Sequence, residues 1–191
     1  MSRFFAILSL ACWLGTVSTV VLAIVYRANP ASSLGDLFDS IRENSLWFGW
    51  VIAAVTTAGS LYYSEIAHFE PCKLCWLQRI CMYPLSIILL IAAIRRDRGI
   101  WRYTLPLVLI GMTIATYHTQ LQAWPRGEGF CSTLVPCTTR TVWEFGFVSL
   151  PFMDLAALVF ILVMLLLARS AESIESDGDE LPEAQSSEAR A

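Results

Sequence analysis

Charge is what this 191-residue chain has least of: charged side chains make up 15% of it, against 56% for hydrophobic ones. A soluble domain carries about a quarter charged residues, and one of this size cannot hide so much apolar surface from water. The composition therefore excludes an ordinary soluble domain and makes lipid the natural solvent. Internal repeats and soluble-type amphipathic periodicity are also missing, and no nucleic-acid partner is expected.

What charge there is lies unevenly. Residues 170–191 hold seven acids and one base, a balance of −6, which leaves +3 on the rest of a chain whose total is −3. That stretch has no aromatic residue and is rich in Ser, Glu and Ala, so residues 169–191 are expected to form a disordered acidic tail.

Long apolar runs are abundant. A bilayer core about 30 Å thick takes about 20 helical residues. Five stretches approach this: Phe4–Tyr26, Leu46–Ile66, Trp76–Ile94, Ile100–His118 and Leu150–Ala168. The first has no charge; the others carry Glu65, Arg79, Arg102 and Asp154, each near a span end where a side chain can snorkel. All are too long for strands, so the expectation is an all-α membrane protein. Residues 1–27 are expected to form an additional N-terminal transmembrane segment, with an interfacial helix as the competing reading; a cleaved signal peptide fits less well, because the run is long and no small-x-small site precedes Arg27. Residues 46–168 form the main domain.

Sidedness follows from Arg95-Arg96-Asp97-Arg98-Gly99, a tight turn whose three arginines belong in the cytoplasm. By parity, Ala67–Cys75 and the long loop Thr119–Ser149 then face outward, with the N-terminus outside and the C-terminus inside. Pro125, Gly127, Gly129 and Pro136 break the long loop, while Trp143, Phe145, Phe147 and Val148 suit the headgroup level.

Four of the six cysteines fall on that outer face. Cys72 and Cys75 form a C-x-x-C at a helix start, where backbone N–H groups and the helix dipole favour a thiolate. Alone, this motif serves a labile disulfide or half a zinc site about equally well. Cys131 and Cys137 add a C-x5-C on the same face, an unusual zinc spacing, in a compartment that favours disulfides. The joint pattern points to redox exchange; a structural loop disulfide and a four-cysteine metal site are the competing readings. Cys12 and Cys81 lie inside spans, where free cysteines act as small apolar side chains. Arg79 follows Cys75 by one helical turn and needs an accepting partner at that depth: a quinone carbonyl, a thiolate or lipid phosphate. Gln78 and His118 are further polar candidates on the same side.

Together, Pro71-Cys72-x-x-Cys75-x-x-Gln78-Arg79, His118-x-x-Leu121-Gln122 and the Cys131/Cys137 pair resemble the DsbB family of quinone-linked disulfide-forming membrane proteins. Cys72 to Leu85 and Trp143 to Phe152 look especially like its short BdbC branch. The resemblance covers Leu46–Ala168 and implies a four-helix bundle in the bacterial cytoplasmic membrane. It implies a quinone cofactor (ubiquinone or menaquinone) contacted by Arg79, with Cys75 beside it and Gln78 and His118 near it. The implied partner is a DsbA- or BdbD-like thioredoxin-fold thiol oxidase that attacks Cys131, after which Cys137 passes electrons to Cys72. No metal is expected. The first span lies outside the pattern. Two rival readings stand: a quinone oxidoreductase of the vitamin-K-epoxide-reductase type, and a non-enzymatic membrane scaffold with structural disulfides.

Overall fold

The computed structural model describes residues 2–28, 34–125, 131 and 135–188, the side chains of Leu34 and of residues 172–188 excepted. In lipid a backbone must satisfy its own hydrogen bonds, so apolar runs of this length fold as helices. The helices are α1 (Ser2–Ala28), α2 (Leu34–Glu43), α3 (Ser45–Leu61), α4 (Lys73–Arg95), α5 (Trp101–Ala123) and α6 (Leu150–Glu188). A π turn, Tyr62–Ile66, continues α3, and a 3₁₀ turn, Arg98–Ile100, leads into α5. Five of these elements are long and apolar enough to cross a membrane. The chain is an all-α, multi-pass membrane protein.

Helices α3, α4, α5 and α6 close a ring in which each packs on the next, and α1 lies outside it against α6. Leu85, Leu89, Val108, Ala115, Leu158, Ile161 and Leu165 fill the ring's centre. Lipid tails are as apolar as leucine, so close packing rather than escape from solvent holds such a bundle. Gly111 shows how close: a Cβ there would stand 3.2 Å from the Cys81 Cβ on α4 and 3.2 Å from Leu158 on α6. Helix α1 presents a small-residue face of Ala6, Ser9, Cys12, Thr16 and Thr19, all buried. Its hydroxyls are satisfied within the helix, Thr16 donating to the Cys12 carbonyl and Thr19 to that of Gly15.

Helix α2 is absent from the sequence reading, since ten residues cannot span a bilayer. Phe38 and Ile41 pack toward α1 and α6, with Phe38 stacked on Tyr26 at 4.7 Å. At the same end Arg96 adopts a left-handed conformation (φ 54°) that caps α4 and makes the arginine turn tight. The opposite end gathers the N-terminus, Cys72 and the long loop: Ser2 donates to Glu144 at 2.6 Å and Arg3 pairs with Glu144 at 3.6 Å. Glu144 belongs to a small hairpin, β1 (Trp143–Glu144) with β2 (Val148–Ser149). Phe145 and Phe147 near its tip are exposed. Gly127 and Gly129 lie outside the described residues.

Helix α6 continues past Ala168 to Glu188.

Candidate functional site

The site starts with the first residue of the C-x-x-C. Pro71 ends an extended lead-in, α4 begins at Lys73, and Cys72 is its N-cap. The Cys72 sulfur accepts the backbone N–H of Cys75 at 3.3 Å, as capping oxygens do elsewhere. The Cys75 thiol lies in the first turn, its sulfur 2.8 Å from that of Cys72. The Cys75 thiol chiefly, with help from His118 and the Cys75 N–H, draws the Cys72 thiol down to about 4 against the opposing effect of burial. Cys72 is thus the better thiolate.

His118 connects the two cysteine pairs. It is 1% exposed and sits five residues before the end of α5, not at the span's end as the sequence reading places it. One ring nitrogen, Nε2, lies 3.8 Å from the Cys72 sulfur and 3.2 Å from the Cys137 carbonyl oxygen. The other, Nδ1, meets the Gln78 carbonyl oxygen at 3.0 Å. Gln78 in turn donates its amide to Asp154 on α6 at 2.9 Å. That contact fixes which end of the Gln78 amide faces the ring, so Nδ1 carries a proton. Nε2 faces both the Cys72 sulfur and the Cys137 carbonyl oxygen, so the ring joins the two cysteine pairs.

The outer loop docks on the same spot. Cys131 and Cys137 are joined by a disulfide. Cys137, 1% exposed, is buried in one apolar cluster with Cys72, Leu74 and Leu121, while Cys131 stays half-buried at its edge. Gln122 donates to the Thr139 carbonyl at 3.1 Å, and Arg140 donates to the Gln122 carbonyl at 2.9 Å through its Nε. The Arg140 guanidinium also covers the Trp143 ring at 4.1 Å. These contacts hold the returning arm of the loop against the end of α5.

On the membrane side of Cys75 lies a cavity of about 160 Å³. Its walls come from α1, α3, α4, α5 and α6, and they are mostly apolar. Arg79, Gln78, His118, Asp154, Ser60, Tyr63 and Tyr83 are among its polar groups, with Ser9, Thr56, Glu70 and Thr141 elsewhere on the lining. Arg79 donates to the Ser60 hydroxyl at 3.0 Å and the Ser60 carbonyl at 3.2 Å, and its guanidinium lies 5.3 Å from the Trp76 ring. Tyr83 donates to the same Ser60 hydroxyl at 3.2 Å. Among the described residues, then, Arg79 is held by protein groups and faces the cavity. Tyr63 lines the cavity, and its buried hydroxyl has no partner among the described residues. An orphaned donor, a guanidinium and apolar walls beside a cysteine fit a flat apolar ring carrying carbonyl acceptors.

The structure thus gathers Cys72, Cys75, Gln78, Arg79, His118, Cys131 and Cys137 around one point. Cys81 packs away from it under Gly111. Cys12 lines the cavity and offers its thiol to the Ala156 carbonyl at 3.7 Å. Sequence reasoning missed Asp154, which it treated as a snorkelling charge, and Ser60, Tyr63 and Tyr83. An acid four residues into a span is a signal of cost, and that cost is what Gln78 answers. The ligand atoms of Cys72, Cys75 and His118 lie within 4.8 Å of one another, a spacing that would also hold a soft metal ion.

The family model described as "Disulfide bond formation protein DsbB" matches residues 42–168. "Probable disulfide formation protein" of Coxiella burnetii is 41% identical, over 69% of this chain and 92% of that protein. "Disulfide bond formation protein C" of Bacillus subtilis is 41% identical, over 67% of this chain and 94% of that protein. "Probable disulfide formation protein C" of Halalkalibacterium halodurans is 43% identical, over 65% and 93%. No solved structure matches. A C-x-x-C at a helix N-terminus, a second cysteine pair docked on it and this extent of likeness agree: the chain is a disulfide-forming membrane oxidoreductase that belongs to the DsbB family, in its BdbC-like branch.

Proposed function

We propose that this protein re-oxidises a thioredoxin-fold dithiol oxidase outside the bacterial cytoplasmic membrane and passes the electrons to a membrane quinone. The observation that carries this is the burial of Cys137 against Cys72 on one side of the C-x-x-C, with the cavity of Arg79 on the other. The arginine turn at the opposite end supports a cytoplasmic location for that end and for the C-terminus.

Each thiol step is attack by a thiolate on a disulfide. A partner thiolate attacks the sulfur of Cys131, the more open member of its pair, and Cys137 leaves as a thiolate. Cys137, already beside Cys72, attacks the Cys72 sulfur of an oxidised Cys72–Cys75 pair, and Cys75 leaves as the thiolate facing the cavity. The partner's second thiolate then closes its own disulfide and frees Cys131, which attacks the Cys137 sulfur, restores Cys131–Cys137 and releases Cys72, leaving Cys72 and Cys75 reduced. His118 steadies negative charge on Cys72 or Cys137 during these exchanges, and Gln78, held by Asp154, keeps the ring turned toward them. Arg79 would hold a quinone by a carbonyl oxygen, with Tyr63 free to donate a second hydrogen bond. When bound, the quinone supplies the two-electron acceptor that returns the cysteines to the oxidised state.

The test is purified full-length protein in detergent with a reduced thioredoxin-fold oxidase and ubiquinone or menaquinone. One partner disulfide should form per quinone reduced. Bound zinc, with no quinone-dependent oxidation, would overturn the proposal and favour a metal-binding scaffold.

A further inference from the structure

Helix α1 lies outside the matched segment 42–168, and the relatives are more than nine-tenths covered while about a third of this chain has no counterpart in them. Yet Phe5, Leu8, Ser9 and Cys12 of α1 line the cavity that holds Arg79 and Cys75. We infer that α1 is a wall of the quinone site, an added helix that closes the site's lateral face and contacts the quinone through Leu8, Ser9 and Cys12. This rests on the quinone reading above and extends it to residues the family model does not reach.

The wall is fitted rather than merely adjacent. A Cβ on Gly59 of α3 would stand 2.9 Å from Phe5 Cε1, so the Phe5 ring occupies the space a side chain would take. The ring also packs on Tyr62 and Tyr63 at centroid distances of 6.3 and 5.6 Å. Tyr63 carries the orphaned hydroxyl of the cavity, so α1 helps set the position of that donor. Lower down, Trp13 meets Phe152 at 6.1 Å, and Gly15 admits the Phe160 ring. Above, Ser2 and Arg3 are tied to Glu144 of the outer hairpin. The outward face of α1 is lipid-like: Phe4, Ile7 and Leu14 are 62%, 59% and 70% exposed. A helix with one apolar face to lipid, and with Ser9 and Cys12 of its small-residue face on the cavity, serves as a partition between the two.

Cys12 makes this testable without measuring turnover. When both cysteine pairs are disulfides, the Cys81→Ala protein has Cys12 as its remaining thiol. The experiment follows alkylation of Cys12 by N-ethylmaleimide in the full-length protein, with and without ubiquinone-1, whose fully substituted ring does not add thiols. Binding of the same quinone is followed in parallel by thermal shift. Saturating ubiquinone-1 should slow alkylation about tenfold or more, the effect of about 1.4 kcal/mol of contact. Leu8→Trp, which narrows the cavity, should raise the quinone dissociation constant by a similar factor while reaction of a partner dithiol with Cys131–Cys137 persists. A thermal shift by quinone with unchanged Cys12 alkylation and unchanged Leu8→Trp affinity would remove α1 from the site and leave the quinone reading intact. Absence of any quinone binding would overturn both.

Discussion

The two cysteine pairs are held in opposite ways. Cys72 and Cys75 sit on the capped first turn of a regular helix, where backbone geometry and an imidazole set which sulfur carries charge. Cys131 and Cys137 sit on a loop with no helix or strand among its described residues between Trp124 and Val142, where unequal burial sets which sulfur can be reached. The difference teaches that charge and access in a thiol relay can be set by independent quantities. Electrostatics places the resting charge of the inner pair on Cys72, position puts Cys72 against Cys137 and Cys75 against the cavity, and access orders the outer pair.

The largest expected effect comes from removing the joint between them. Cys137→Ser should abolish turnover and let Cys131 accumulate as a mixed disulfide with the partner, visible on a non-reducing gel. If Cys131→Ser were the variant that left turnover intact, access would not order the outer pair. Next, Arg79→Met should raise the quinone concentration for half-maximal rate about ten- to a hundred-fold, the equivalent of one hydrogen bond to a charged group. Exchange at Cys131–Cys137 should survive, and Arg79→Lys should recover part of the loss, since charge returns without the planar fork.

Electrostatic ordering of the inner pair has its own signature in pH. The Cys72 thiol is lowered from 9.0 to about 4 by Cys75 and His118, so in the reduced protein the thiolate is held across that interval. The stabilisation it lends the reduced folded state is present above the ordinary thiol value and is lost as pH falls through about 4. Thiolate absorbance of the reduced Cys131→Ser/Cys137→Ser protein should therefore persist from neutral pH down toward 4. His118→Phe should move its midpoint upward, and an unmoved midpoint would assign the ordering to Cys75 and the helix terminus. Asp154→Leu should act in the same direction but less, because it touches Cys72 only through Gln78 and His118. Smallest of all, Cys81→Ser should leave turnover unchanged, since its side chain packs between helices away from the cavity.

Much of this was legible in the sequence because lipid imposes a simple rule. A run of twenty apolar residues has one backbone solution, so the five spans and the arginine turn follow from composition alone. Cysteine spacing marks Cys72, Cys75, Cys131 and Cys137 as chemical residues before any contact is known. Helix α2 escaped because a short amphipathic helix is settled by what it packs on, here Phe38 against Tyr26, Met164 and Leu167. Asp154 escaped for a related reason: its partner Gln78 lies 76 positions away, and no local pattern joins them. His118 looks interfacial when counted from the end of its apolar run, but α5 continues to Ala123 beneath the docked loop.

The cavity draws its walls from the first and the last membrane helices of the chain. During synthesis α1 is made first, and Phe5 finds its seat only when Gly59 has followed it into the bilayer. Leu150, Pro151, Met153 and Asp154 arrive last, on α6. A half-made chain therefore has cysteines but no enclosed chamber beside them. The chamber is a late product of insertion, closed only when α6 joins α1 and the helices between them.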